Sequence, residues 1–168
     1  SVLWFKGEKN ELKVDGTLKY YSRDEIIFLT EFHKVEIVNV ENARLLTFNR
    51  PFYCVLDHDE EVGCKGILFF STAHVPCIQL EGEQKARFET LWEMFEIEMK
   101  SSDHLQLGML QMMLKRILIL CTRIYKVQFP IASEQNNDII REYNFLVEKH
   151  FREKHTVKEY ADLLFKSP

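Results

Sequence analysis

Near residue 80 the period of the apolar residues changes, and with it the kind of element the chain can form. Before that point Val, Ile, Leu, Phe and Tyr come in short runs. After it they recur every three or four residues. A period of two buries one face of a strand, and a period of 3.6 buries one face of a helix. The chain therefore reads as α+β, with strands first and helices after, and not as alternating strand–helix units.

The strand half predicts runs at Val2–Lys6, Glu11–Val14, Thr17–Tyr21, Glu25–Thr30, Lys34–Val40, Ala43–Phe48, Phe52–Leu56 and Ile67–Phe70. Gly7-Glu-Lys-Asn10, Asp15-Gly16 and Asn49-Arg-Pro51 are the turn signals between them. Asp15-Gly16 between alternating residues is a hairpin signal. Short strands spaced roughly ten residues apart predict a sandwich or a small barrel.

The helical half begins with Glu83–Lys100, where Phe88, Leu91, Trp92 and Phe95 share one face. Ser102-Asp103 is an N-cap signal for a long helix over His104–Val127. Along it Leu107, Leu110, Leu114, Ile117, Cys121 and Ile124 alternate at spacings of three and four, the seam of a coiled coil. Met109, Met112, Met113, Leu118, Ile119 and Leu120 widen the apolar surface beyond that seam. A helix apolar on several sides must bury more than one of them. The seam is therefore expected to meet a second copy in a homodimer. Phe129-Pro130 ends the helix, and Ala132–Asn137 reads as a linker. Asp138–Lys154 is a further helix, with Ile139, Tyr143, Leu146, Val147 and Phe151 apolar. Val157, Tyr160, Ala161 and Leu164 then mark one face of a short helix, and Ser167-Pro168 has the form of another helix start.

Composition narrows the class. The 168 residues suffice for one domain, or one with an appendage, and 46% are apolar. Thirteen Phe, six Tyr and two Trp argue against disorder. A net charge of −4 is a poor match to a surface that wraps nucleic acid. Four cysteines without a CxxC spacing read as reduced and buried, which implies a cytoplasmic protein. No apolar run reaches the ~18 residues of a membrane span. The chain enters an apolar run directly at Ser1-Val-Leu-Trp-Phe5, which implies missing residues upstream.

The end of the chain, His155-Thr-Val-Lys-Glu-Tyr-Ala-Asp-Leu-Leu-Phe-Lys-Ser-Pro168, resembles the opening of the first helix-turn-helix of AraC-type transcription regulators. There the pattern Val-x-x-Tyr-Ala-x-x-Leu-x-x-Ser opens the motif, and the recognition helix begins at that Ser. Asp24-Glu-Ile-Ile-Phe-Leu-Thr-Glu-Phe-His33 is similar to a cupin stretch of Gly-Asp, an apolar run and Pro-x-x-x-His, with Arg23 where Gly is usual and Thr30 near the usual Pro. Leu46–Cys54 and Gly66–Phe70 are similar to core strands of these sensor domains.

The resemblance implies a cupin-like β-barrel of jelly-roll type over residues 1–80, binding an effector. It implies a helical dimerisation segment over 81–130. Residues 131–168 become a linker and the incomplete start of a DNA-binding domain, with Val157, Tyr160, Ala161, Leu164 and Ser167 at its head. The implied partners are a second copy, a small-molecule effector, and DNA bound through a segment after Pro168. No cofactor and no enzymatic activity are implied.

Inward aromatics of such a barrel would line the effector pocket: Trp4, Phe28, Phe32, Phe48, Tyr53 and Phe70, with His33 and Tyr53 as polar handles. In cupin enzymes a His-x-His pair, a Glu and a later His hold a metal. His33 stands at the later position, and the pair would lie before Ser1. One imidazole is not a site, so no metal is expected. Cys54, His58 and Cys64 carry soft-ligand types, but Asp57–Glu61 between them reads as the charged tip of a hairpin. No catalytic triad, phosphate loop or HExxH helix is present. Two alternatives stay open: a small metal-dependent cupin enzyme with ligands in an upstream segment, and a structural dimeriser with a filled barrel.

Overall fold

A computed structural model of the protein describes residues 1–49, 51–53, 67–69, 75–130 and 135–167. Cys54, His58, Cys64, Phe70 and the tip Asp57–Glu61 lie outside the described residues, as does most of the expected strand Phe52–Leu56 and of the linker's first half.

The fold is α+β. Strands β1 (Val2–Phe5), β2 (Asn10–Val14), β3 (Thr17–Tyr21), β4 (Glu25–Phe28), β5 (Val35–Val40), β6 (Ala43–Leu46) and β7 (Cys77–Gln79) precede helices α1 (Glu83–Glu98), α2 (Gln106–Gln128), α3 (Gln135–His150) and α4 (Val157–Leu163). Six strands fall where the runs predict them. β7 is additional, and Ile67–Phe69 form a turn instead of the expected strand.

Among the described residues the strands do not close into a barrel. They make two antiparallel sheets, β6-β1-β4-β7 and β3-β2-β5. The reason is visible in the central strands. Val2, Trp4, Ile26 and Phe28 join Ile78 and Leu80 in a core shared with the helices. Phe5, Ile27 and Leu29 join Leu12, Val14 and Tyr21 of the other sheet in a second core. The four-stranded sheet is thus covered on both faces, which is why Val-Leu-Trp-Phe and Ile-Ile-Phe read as unbroken apolar runs. Simple barrel strands would alternate. The layers run helices, four-stranded sheet, three-stranded sheet.

Local chemistry sets the crossings. Asp15 and Gly16 take φ of 49° and 82°, the paired left-handed values of a tight hairpin, between Val14 and Thr17. At Gly7 a Cβ would come 2.5 Å from Glu41 Cβ, so only glycine lets the chain pass between the sheets there. Asn42 O accepts the N–H groups of Lys6 and Gly7 at 2.8 and 3.0 Å.

Helix α2 begins where Asp103 Oδ1 accepts the N–H groups of Leu105 and Gln106 at 2.7 and 3.1 Å. Its long apolar face corrects the expected dimer seam. Leu110, Leu114, Ile117, Cys121 and Ile124 are all buried within the single chain, against the four-stranded sheet and α1. Leu107 is exposed. A sheet with a free apolar face captures the richest helix face first, so the heptad spacing serves the intramolecular core. At the far end the Gln128 side chain clasps β7: it accepts the Gln79 N–H at 3.0 Å and donates to Gln79 O at 2.6 Å. That covers part of an otherwise open sheet edge.

Candidate functional site

Polar groups collect in the second core, between the sheets. Asn10 opens β2 and is buried. Its Nδ2 donates to Gly7 O at 2.9 Å and Tyr21 O at 3.1 Å, so it ties the turn to the end of β3. Tyr21 stacks on Phe5 with ring centroids 4.8 Å apart. Asn10 Oδ1 and the Tyr21 hydroxyl are buried and have no hydrogen-bond partner among the described residues. Such atoms cost roughly 1–3 kcal/mol each until a partner meets them, so they are where a polar ligand gains most.

Cys77 and Glu25 lie beside this pair. The Cys77 thiol donates to Glu25 Oε1 at 3.7 Å. Burial, then the Glu25 charge, pushes the thiol up to about 12. Burial, with Cys77 and Glu25, also pushes the Tyr21 hydroxyl up to about 12. Both groups are therefore protonated at neutral pH.

The sequence-predicted pocket residues mostly lie elsewhere. Trp4 packs edge-on against Phe88 and Trp92, at 6.2 and 5.9 Å. Phe28 and Phe48 meet Phe69 at 5.8 and 6.1 Å, and Phe48 meets Tyr53 at 6.2 Å. Trp4, Phe28, Phe48 and Tyr53 thus belong to the helix-side core and not to the inter-sheet space. Phe32 is exposed. His33 is half-buried, and its Nδ1 accepts the Thr30 N–H at 3.0 Å. Asn10, Tyr21, Glu25 and Cys77 were not singled out by the sequence reading. The one signal was Asn10, a poor strand former opening a strand.

Charged groups above Trp4 form a joint between layers. Glu89 of α1 accepts from Lys6 Nζ and from Arg44 Nη1, the latter at 2.6 Å. Lys6 and Arg44 also stand over the Trp4 ring, at 4.0 and 5.1 Å. Asp24, buried, pairs with Lys6 at 3.4 Å and Lys85 at 3.0 Å. Burial works against both carboxylates. The cations outweigh it and hold Asp24 and Glu89 below their ordinary values. Among the described residues no three His, Cys, Asp or Glu side chains are placed to hold a metal ion.

The C-terminal candidate is helix α4. Thr156 caps it in extended geometry, its Oγ1 accepting the Glu159 N–H at 3.4 Å. The Glu159 carboxylate accepts from Thr156 N, His155 N and Thr156 Oγ1 at 2.9, 3.1 and 2.7 Å. This is a reciprocal capping box. Tyr160 and Ala161 are buried, Leu164 is half-buried, and Val157 and Ser167 are exposed. Tyr160 packs on Tyr143 of α3 with centroids 5.6 Å apart. The helix ends in a Schellman turn: Phe165 N donates to Asp162 O at 3.2 Å, and Lys166 N to Ala161 O at 2.9 Å. Phe165 takes the left-handed position at φ 53°.

No described helix is long and apolar enough to cross a membrane. The chain matches no model of a known protein family. It matches no curated protein and no solved structure.

Proposed function

We propose that this chain is the effector-sensing and dimerisation region of an AraC-type, DNA-binding transcription regulator. In this reading it is a non-enzymatic cytoplasmic protein. Residues 1–80 act as a cupin-like sensor, 81–130 as the dimerisation segment, and 131–168 as the opening of the DNA-binding domain. The observation that carries the reading is α4. It is a short capped helix, packed by Tyr160 and Ala161 on α3, that turns sharply at Phe165 and releases the chain at Ser167. A helix and a tight left-handed turn, followed in the sequence by Ser167-Pro168, keep the order of parts in a helix-turn-helix.

The unpartnered Asn10 Oδ1 and Tyr21 hydroxyl support the sensing half, because they favour a small polar effector between the sheets. Dimerisation requires a face other than the buried seam. Met94, Ile97 and Met99 at the end of α1, with Leu105 just before α2 and Met109 and Met112 on it, are exposed and apolar.

Gel-shift titration tests the reading. The full-length protein encoded by the same gene is expected to bind duplex DNA from its own upstream region. Residues 1–168 alone are expected not to, since the recognition helix would follow Pro168. Selective binding by residues 1–168, or none by the full-length protein, overturns it.

A further inference from the structure

We propose that the β4–β5 turn, one of four chain crossings between the two sheets among the described residues, is a pH-sensitive latch, closed only while the His33 imidazole is neutral. The chain leaves the four-stranded sheet at the end of β4 and enters the three-stranded sheet at β5, and Thr30–His33 make the crossing. Two contacts close it. The Thr30 backbone N–H donates to His33 Nδ1 at 3.0 Å, and the Thr30 hydroxyl lies 2.9 Å from the same nitrogen. Phe32 N–H reaches the Thr30 hydroxyl at 3.4 Å.

A backbone N–H can only donate. Its bond to Nδ1 therefore requires a lone pair there, which places the ring proton on Nε2. Protonation puts a hydrogen on Nδ1 and sets two donors face to face. The Thr30 hydroxyl can rotate to accept from the charged ring, but the Thr30 N–H cannot, and the turn loses its central bond. The opened segment is the chain link from β4 to β5, whose ladder partner is β2, and it carries the exposed Phe32 at its tip.

Other charged groups surround the latch. Glu31 and Lys34 lie on the segment itself. Asp15, at the hairpin, accepts the Lys34 N–H at 2.8 Å and donates its own N–H to Lys34 O at 2.9 Å. Lys34 Nζ pairs with Glu36 of β5 at 3.3 Å, and the Ser1 ammonium donates to Leu29 O at 2.7 Å. Following the titration at the His33 ring itself separates its effect from theirs.

The test is NMR on the 168-residue chain, with the His33 ring signals and the Thr30 amide followed together over pH. The expected result is a neutral ring protonated at Nε2. As His33 gains its second proton, Thr30 amide protection falls by about tenfold, the scale of one hydrogen bond. His33→Asn places a non-titrating acceptor, Oδ1, near the position of Nδ1. It is expected to hold the Thr30 amide protected across the same range. Protection that persists after His33 is protonated overturns the latch, and so does an Asn variant that loses protection at the same pH. The wild-type titration decides the matter alone if the variant does not fold.

Discussion

Glu159 shows how much one exposed side chain sets locally. Its carboxylate satisfies two backbone donors at the start of α4, and hydrogen bonding from Thr156, then His155, lowers its pKa to about 2. A depressed carboxyl contributes stability above its unfolded value, and that contribution disappears as pH falls through the folded one. Protection of the His155 and Thr156 amides, the two donors to this carboxylate, is therefore expected to fall progressively from about pH 4.5 down to about 2. Glu159→Gln should show the faster exchange at neutral pH and much less acid dependence. Phe165 is the opposite case, a bulky residue in a position that suits glycine, with its side chain 94% exposed. Phe165→Gly is expected to stabilise α4 by roughly 1 kcal/mol, the relief of left-handed strain less the extra freedom of the unfolded chain. Thermal melting of the α3–α4 region checks this.

Helix α2 has two apolar faces with different fates. The inner face carries Leu114, fully buried in the core. Leu114→Ala should cost about 2–5 kcal/mol, read from denaturant midpoints. Leu114→Glu should abolish the fold, because it buries a charge with no partner. The outer face carries Met112, 61% exposed. Met112→Glu should leave the circular dichroism spectrum unchanged. If the outer face is the dimer contact, the same variant sediments as a monomer where the parent sediments as a dimer. A dimer that survives Met112→Glu places the contact elsewhere.

The whole molecule depends on its layers staying in contact, and acid tests the joint between them. Glu89 of α1 pairs with Lys6 and Arg44 on the four-stranded sheet, and Lys85 of α1 pairs with Asp24 just before β4. Both carboxyls are held below their ordinary values, so their contribution is complete at neutral pH and fades as acid protonates them. The urea midpoint should drop below about pH 4.5, together with a change in Trp4 and Trp92 emission, since both rings lie at the joint. Glu89→Gln should lower the midpoint at pH 7 and flatten its acid dependence. An unchanged acid profile in that variant would assign the acid sensitivity to other groups.

Most elements were legible in the sequence alone, β7 and the turn at Ile67–Phe69 excepted. Asp15-Gly16 dictates its hairpin, Thr156 and Glu159 dictate a helix start, and the change of period near residue 80 separates strands from helices. These are local effects, decided by backbone sterics and by hydrogen bonds a few residues apart. What each apolar face would meet was not legible. Trp4 and Phe28 are inward residues of a strand, but a sheet has two sides, and only the docking of α1 and α2 decided that theirs was the helix side. The seam on α2 has the same spacing whether it packs on a sheet or on a second copy. Tertiary structure chose the sheet, because its uncovered apolar face lies within the same chain and needs no partner from solution. The polar atoms of Asn10 and Tyr21 became a candidate site for the same reason: burial without partners is a property of the assembled layers, which no spacing along the chain records.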